Sequence, residues 1–465
     1  MSASRFFLSL TASAALAASL AAATGVASAG SAPMRGSVVS AKLITTITVS
    51  DMERDKFAQV AIEIGDKFGP NFGESPSAGV PQCNVALYRI VYNTVGVMHE
   101  PAVADEGLFV PLKGCSAPNG YPLVGYAHGT NVAKSQVIWD PKTTDYVHTA
   151  PDQSPNTIAA VFAAHGYVVS ATDYLGLGIS SYKYHPYLNA ESEATSIVDA
   201  MRAARLFAAK NNIMLNGHVF LTGHSQGGQS ALAAQRAVQR YPSEFALLAD
   251  APSSGPYALT DTFETELTEN GGAGGQDSPI FATYAITGYQ KTYQNIYTKP
   301  TEVFKFPYVK GINNLLPVAN FADEDKLFGQ TLPLGLNQLI KPSFANSFLS
   351  DPSSGARVDT AKNDLLQGWM RSPSEALMLL CGGSNDPEVP FFNTELAYEY
   401  FSAQPGAYPV EPVDVDPYVQ QLNVPPSDYH VTVAFFCYTI AKQAAFDPFE
   451  GVARFKPGIA KRLHR

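Results

Sequence analysis

The residues with the clearest chemical potential are Gly223-His224-Ser225-Gln226-Gly227. A serine in a G-x-S-x-G pattern suits a nucleophile carried on a sharp, strained turn, where bulky neighbours would clash. The pattern alone is weak, but its flanks strengthen it. Val219-Phe220-Leu221-Thr222 precedes it and the helix-forming run Ala231-Leu-Ala-Ala-Gln-Arg-Ala237 follows. Strand, turn and helix in that order would expose the Ser225 hydroxyl at the top of a sheet.

A serine hydroxyl needs a base to take its proton. There are nine histidines. His224 adjoins the nucleophile and is expected not to face the same site. His218 opens the strand at its far end, and His464 lies in the tail. Where such an elbow sits on an α/β sheet, its partners follow in the order Ser, Asp or Glu, His. That leaves His430, in Ser427-Asp428-Tyr429-His430-Val431, as the base. Asp386 ends the loop Cys381-Gly-Gly-Ser-Asn-Asp386 after the apolar run Ala376–Leu380. It would accept the second ring N–H of His430 and so fix the tautomer, with Glu388 as its rival. The oxyanion of an acyl-transfer intermediate needs preorganised donors. The N–H of Gln226 is expected to be one. Thr130, in His128-Gly129-Thr130, is expected to be the other, with its hydroxyl as an extra donor.

The surrounding chain must position these groups. Apolar runs at Leu123–Ala127, Tyr167–Ala171, Val219–Thr222, Phe245–Leu248 and Ala376–Leu380 alternate with helix-like stretches such as Thr157–His165 and Glu193–Ala208. Short apolar runs flanked this way read as βαβ units around a buried, mostly parallel sheet, an α/β fold. Two further strands are expected at Val85–Val95 and Gly107–Pro111. Residues 30–84 read as a leader plus one helical segment from Asp51 to Lys67, stopped by Gly69-Pro70. Residues 257–364 break the rhythm with Gly271-Gly-Ala-Gly-Gly275 and many aromatic residues, and read as an inserted, mostly helical cap. An independent second domain is the alternative.

The chain has 465 residues, 46% of them hydrophobic and only 15% charged, which excludes a disordered or coiled-coil protein. The formal net charge of −10 argues against a nucleic-acid partner. Arg5, the apolar stretch Phe6–Ala23 and Ala27-Ser28-Ala29 read as an export signal cleaved near Ala29. The destination is then secreted, extracellular or periplasmic. An even cysteine count in an exported chain suggests disulfides among Cys83, Cys115, Cys381 and Cys437. Three connectivities are open. Cys83 and Cys115 bracket the two early strands, and Cys381 and Cys437 flank Asp386 and His430, which favours those two pairs. No C-x-x-C, H-x-x-x-H, H-E-x-x-H, Walker A or strand–G-x-G-x-x-G–helix pattern occurs, so neither a metal nor a cofactor is expected.

Taken together, Gly107–Pro111, Tyr126-Ala-His-Gly-Thr130, Gly166–Gly178, Gly217–Gly228, Asn385-Asp-Pro-Glu-Val-Pro390 and Tyr429-His430 resemble the secretory lipase family, the lipase A-like branch of the α/β-hydrolases. The resemblance spans roughly residues 85–445. It implies a capped α/β-hydrolase fold and a carboxylic-ester hydrolase, lipase or esterase, with the triad Ser225, Asp386 and His430. On that reading residues 1–29 are the signal peptide, 30–256 and 365–450 the two parts of the hydrolase core, 257–364 the cap and 451–465 a basic tail. The substrate would be a small-molecule or lipid ester. The protein is expected to be a monomer with at most transient contact with a lipid interface. Acyl transfer, peptide cleavage on the same triad and a non-catalytic secreted binding protein are the competing readings. The segment Asp414–Ser427 is long and proline-rich for the family.

Overall fold

A computed structural model describes residues 34–68, 79–115, 117–141, 151–269, 277–320, 323, 326–371, 376–405 and 409–451. The expected signal segment and its cleavage site, Gly69-Pro70, the glycine run 271–275 and nearly all of the basic tail lie outside the described residues.

Nine strands form one sheet: β1 (Val38–Ile47), β2 (Val85–Val95), β3 (Pro101–Pro111), β4 (Tyr121–Ala127), β5 (Val168–Thr172), β6 (Leu215–His224), β7 (Ala246–Ser253), β8 (Leu377–Gly382) and β9 (Val410–Asp414). Their order is β1-β2-β3-β5-β4-β6-β7-β8-β9. β1 to β3 are antiparallel, and β3 meets β5 antiparallel. From β5 to β9 every pairing is parallel. This is the mostly parallel α/β sheet expected from the apolar runs.

Those runs are continuous because helices cover both faces. Successive side chains point to opposite sides and feed separate cores. Val219, Leu221, Met378 and Leu380 join helices Ala190–Lys210 and Gln226–Val238 on one face. Phe220, Leu377 and Leu379 join helices Lys56–Phe68, Pro155–Val161 and Tyr429–Ile440 on the other.

Between β7 and β8 the chain leaves the sheet. Helices Leu259–Thr268, Ser278–Tyr293, Pro342–Ser350 and Gly355–Asn363 lie there, joined by shorter turns. Ile280, Tyr284, Tyr289, Phe304, Leu336 and Leu339 build an apolar cluster with Val132, Tyr187 and Leu188 of the preceding core.

Three local readings are corrected. Residues 38–47 form an edge strand, not a leader. Most positions of β1 are exposed, so its sequence lacks the alternation that marks a half-buried strand. β3 begins at Pro101, six residues earlier than expected, because its residues 101–106 pair with residues 90–95 of β2. β7 runs on to Ser253 through residues paired with β6.

Both disulfides have the favoured pairing, Cys83–Cys115 and Cys381–Cys437. The first closes the β2–β3 hairpin, where Val85 pairs with Pro111. The second ties the end of β8 to the helix Tyr429–Ile440. Among the described residues no helix is long and apolar enough to cross a membrane.

Candidate active site

β4 and β6 are neighbours in the sheet and β8 lies one strand further, beyond β7; the chemistry-bearing residues follow the carboxyl ends of these three parallel strands. In open α/β sheets the crevice beyond the carboxyl ends of the strands is where ligands bind.

Ser225 caps the helix Gln226–Val238 with φ 59° and ψ −125°, a left-handed conformation that costs a non-glycine residue energy. The turn is held from both sides: Ser225 N–H donates to the Ser253 carbonyl at 3.0 Å, and Gly228 N–H to the Ser225 carbonyl at 2.9 Å. Gly227 must be glycine here, because a Cβ would lie 2.0 Å from the Ala127 carbonyl oxygen. Ser225 itself is half-buried, so the elbow presents it at the edge of the interior.

His430 starts the helix Tyr429–Ile440 and is buried. Its Nδ1 lies 2.9 and 2.8 Å from the two carboxylate oxygens of Asp386. In the neutral ring, with Asp386 accepting, Nδ1 carries the proton and Nε2 keeps a free lone pair. Nε2 has no hydrogen-bond partner among the described residues. Glu388 Oε2 stands 3.8 Å from it. The two carboxylates therefore divide the ring: Asp386 takes one nitrogen and Glu388 faces the other. The Glu388 and Val389 N–H groups both donate to Asp386 Oδ1, at 3.0 and 3.2 Å, which sets that orientation.

Burial opposes a charged His430, but the facing carboxylates of Asp386 and Glu388, with Asp152 behind them, outweigh it and raise the ring to about 9. Burial in turn pushes Glu388 up to about 7, against the pull of His430. Burial raises Asp152 to about 6 and pushes Asp277 upward, and His430 pulls both back. Sequence reasoning did not single out Asp152 or Asp277, which approach the ring from distant parts of the chain.

The reading of His224 needs correction. Its ring centroid lies 4.3 Å from that of His430, and its Nδ1 is 2.8 Å from Ser253 Oγ. Burial holds His224 well below the usual histidine range, so it packs against His430 as a neutral ring. This contact also sets the residue next to Ser225 directly on His430.

Thr130 and Gln226 flank the elbow. A Cβ on Gly129 would approach the His224 carbonyl oxygen to 3.3 Å, so the loop before Thr130 lies against the elbow backbone. Gln226 opens its helix, and its N–H is one of the first-turn donors without an intrahelical partner. The positive end of the helix dipole lies there as well. The hydroxyls of Thr130 and Tyr187 are 2.8 Å apart.

A half-buried serine on a strained turn, an imidazole nitrogen that is free in the neutral ring and helix-end N–H donors can together perform acyl transfer. Among the described residues no group of three His, Cys, Asp or Glu side chains could hold a metal ion.

Residues 145–299 match the secretory lipase family. The chain is similar to the crystal structure of the rice cell wall degrading esterase LipA from Xanthomonas oryzae, with 33% identity, a TM-score of 0.74, and coverage of 89% of this chain and 99% of that one. It also shares the fold of Candida antarctica lipase A in its closed state, with 15% identity, a TM-score of 0.58, and coverage of 86% of this chain and 82% of that one. No curated protein matches the chain.

Proposed function

The chain belongs to the secretory lipase family, and from that premise we propose that it is a secreted serine hydrolase that cleaves carboxylic esters through an acyl-enzyme on Ser225. The observation that carries this reading is the pairing of both Asp386 oxygens with His430 Nδ1, which leaves Nε2 unbonded on a ring that packs against His224 of the strained elbow. Similarity to an esterase over nearly the whole length of that protein supports the same class of reaction.

Ser225 Oγ attacks the ester carbonyl carbon while His430 Nε2 takes its proton. Asp386 holds the imidazolium that forms. The N–H groups of Gln226 and Thr130 receive the negative charge that develops on the carbonyl oxygen. The ester C–O bond then breaks, and the alcohol leaves with the proton from His430. Water, deprotonated by His430, attacks the acyl carbon, and the acid departs as Ser225 regains its proton.

Residues 257–364 serve as a cap over this site, and their apolar, aromatic interior suits acyl chains or aryl groups. The protein acts as a monomer, with transient contact with a lipid interface at most. Export removes the segment up to about Ala29, which mass spectrometry of the secreted chain checks.

Hydrolysis of p-nitrophenyl esters from acetate to palmitate, by the mature chain and by Ser225→Ala, tests the reading. Turnover that disappears in Ser225→Ala is expected. Short-chain activity alone defines an esterase with a shallow pocket, and activity reaching palmitate defines a lipase with an acyl tunnel. Activity that survives in Ser225→Ala sinks the mechanism.

A further inference from the structure

The side chain of Gln226 is buried and doubly held. Its amide nitrogen is 2.6 Å from Glu193 Oε1 and 2.8 Å from His185 Nε2. His185 Nδ1 lies 2.9 Å from the Leu175 carbonyl oxygen, so Nδ1 donates there and Nε2 accepts from Gln226. Burial keeps His185 neutral, with its pKa lowered to about 3. Glu193 also accepts from Ser230 Oγ at 2.5 Å and from Leu188 N–H at 2.8 Å. Three donors, two from the helix Gln226–Val238 and one from Leu188, converge on this one carboxyl, which is 1% exposed.

Two residues beyond His185, the same segment reaches the other expected donor. The Tyr187 hydroxyl is 2.8 Å from Thr130 Oγ1. The Tyr187 ring stacks on Tyr284, with centroids 4.6 Å apart and planes within 7°. Tyr284 belongs to the helix Ser278–Tyr293 of the inserted region. The loop Asp173–Gly178, which no step of the mechanism uses, supplies the Leu175 carbonyl. Gly176 in that loop adopts φ +82°, and a Cβ there would sit 2.1 Å from the Tyr184 carbonyl oxygen, so the loop can close onto the His185 segment only with glycine.

We propose that Glu193, His185 and Tyr187 are positioning residues for the oxyanion hole, forming one buried frame that holds Gln226 by its side-chain amide and Thr130 by its hydroxyl, braced by Tyr284. This rests on the reading of Ser225 as nucleophile. The frame matters because oxyanion donors act on charge that exists only in the transition state. Donors displaced by a fraction of an ångström bind substrate as before and stabilise the intermediate less. The loss therefore falls on kcat and not on KM.

The test uses the full mature chain and the variants Glu193→Ala, Glu193→Gln, Tyr187→Phe and Ser225→Ala. It reads kcat and KM on p-nitrophenyl butyrate, the inhibition constant of a trifluoromethyl ketone that forms a tetrahedral adduct, and the unfolding midpoint. Glu193→Ala and Tyr187→Phe are expected to lower kcat by about tenfold, with KM within about twofold. The ketone should weaken by a factor similar to the loss in kcat. Glu193→Gln should recover most of the activity, because its amide oxygen still accepts from Gln226 while its NH2 can donate to Ser230. Folded variants with unchanged kcat overturn the proposal, as does a loss of kcat with undiminished ketone affinity. If Glu193→Ala does not fold, Tyr187→Phe decides by the same readouts, since it removes a single hydroxyl. A fully active Ser225→Ala marks a different failure, that of the acyl-enzyme reading itself.

Discussion

Glu388 Oε2 lies 3.8 Å from His430 Nε2, the ring nitrogen that Asp386 leaves free. One imidazole is thus bracketed by two carboxylates with unequal duties. Asp386 holds one ring nitrogen, and Glu388 faces the nitrogen that, on the proposed mechanism, takes the proton of Ser225.

That relationship sets the pH dependence. The base works only when neutral, so kcat/KM is expected to rise with pH through the His430 pKa of about 9. Glu388→Gln removes a charge that favours the imidazolium, and the acid limb should move to lower pH by about one pH unit. An unmoved limb would show that Glu388 does not act on the ring. Linkage gives a second readout. The raised pKa contributes stability that is fully present below the unfolded value of 6.5 and is lost as pH rises through about 9. Unfolding midpoints across that window should show this loss, and His430→Gln should abolish it.

Asp386 and Glu388 separate cleanly by rate. Asp386→Asn leaves the shape of the loop but favours the wrong tautomer, and should lower kcat by about 10³- to 10⁴-fold at neutral pH. Glu388→Gln should keep kcat within about tenfold of the parent. Steady-state rates on one ester decide. The reverse ranking would assign Glu388 as the orienting acid.

The elbow stores strain that can be measured. Ser225 holds φ 59°, which alanine shares at the same cost and glycine adopts freely. Ser225→Gly and Ser225→Ala should both abolish turnover, yet Ser225→Gly should be the more stable by about 1 kcal/mol in denaturant unfolding. Equal stability would mean that the turn relaxes around the substitution.

The two disulfides should behave differently. Removing either pair by double alanine substitution is expected to cost about 2–4 kcal/mol of stability. Loss of Cys83–Cys115 should leave kcat of the folded fraction unchanged, because that bridge closes a hairpin at the sheet's antiparallel end. Loss of Cys381–Cys437 should lower kcat as well, since it joins the strand leading to Asp386 with the helix that starts near His430. Equal kcat in both double variants would show that the second bridge does not position the triad.

Much of the site could be read along the chain because its causes are local. Glycines around Ser225, an apolar run before it and helix formers after it specify the elbow within about twenty residues. Chain order and elimination point to His430, because His464 is the only other histidine after Ser225; Asp386 follows instead from its place on the loop after the apolar run Ala376–Leu380. The parallel core strands were legible as apolar runs, since helices cover both their faces and no polar alternation interrupts them. β1 escaped for the opposite reason: an edge strand exposed along most of its length has no buried face to write into its sequence.

What the sequence by itself determined is the sharp turn at Ser225 and the alternation of strands with helices, both set by backbone sterics and local burial. Only the tertiary structure decided which carboxylate meets which nitrogen of His430, how His224 packs on that ring, and that Glu193 closes on Gln226 from 33 residues away. Glu193 reads in the sequence as one more polar residue of a helix. Its place depends on where helix Ala190–Lys210 comes to rest against the start of helix Gln226–Val238. Burial of that interface is what turns a surface-type side chain into a partner that must be satisfied, and packing between distant segments leaves no local spacing to read.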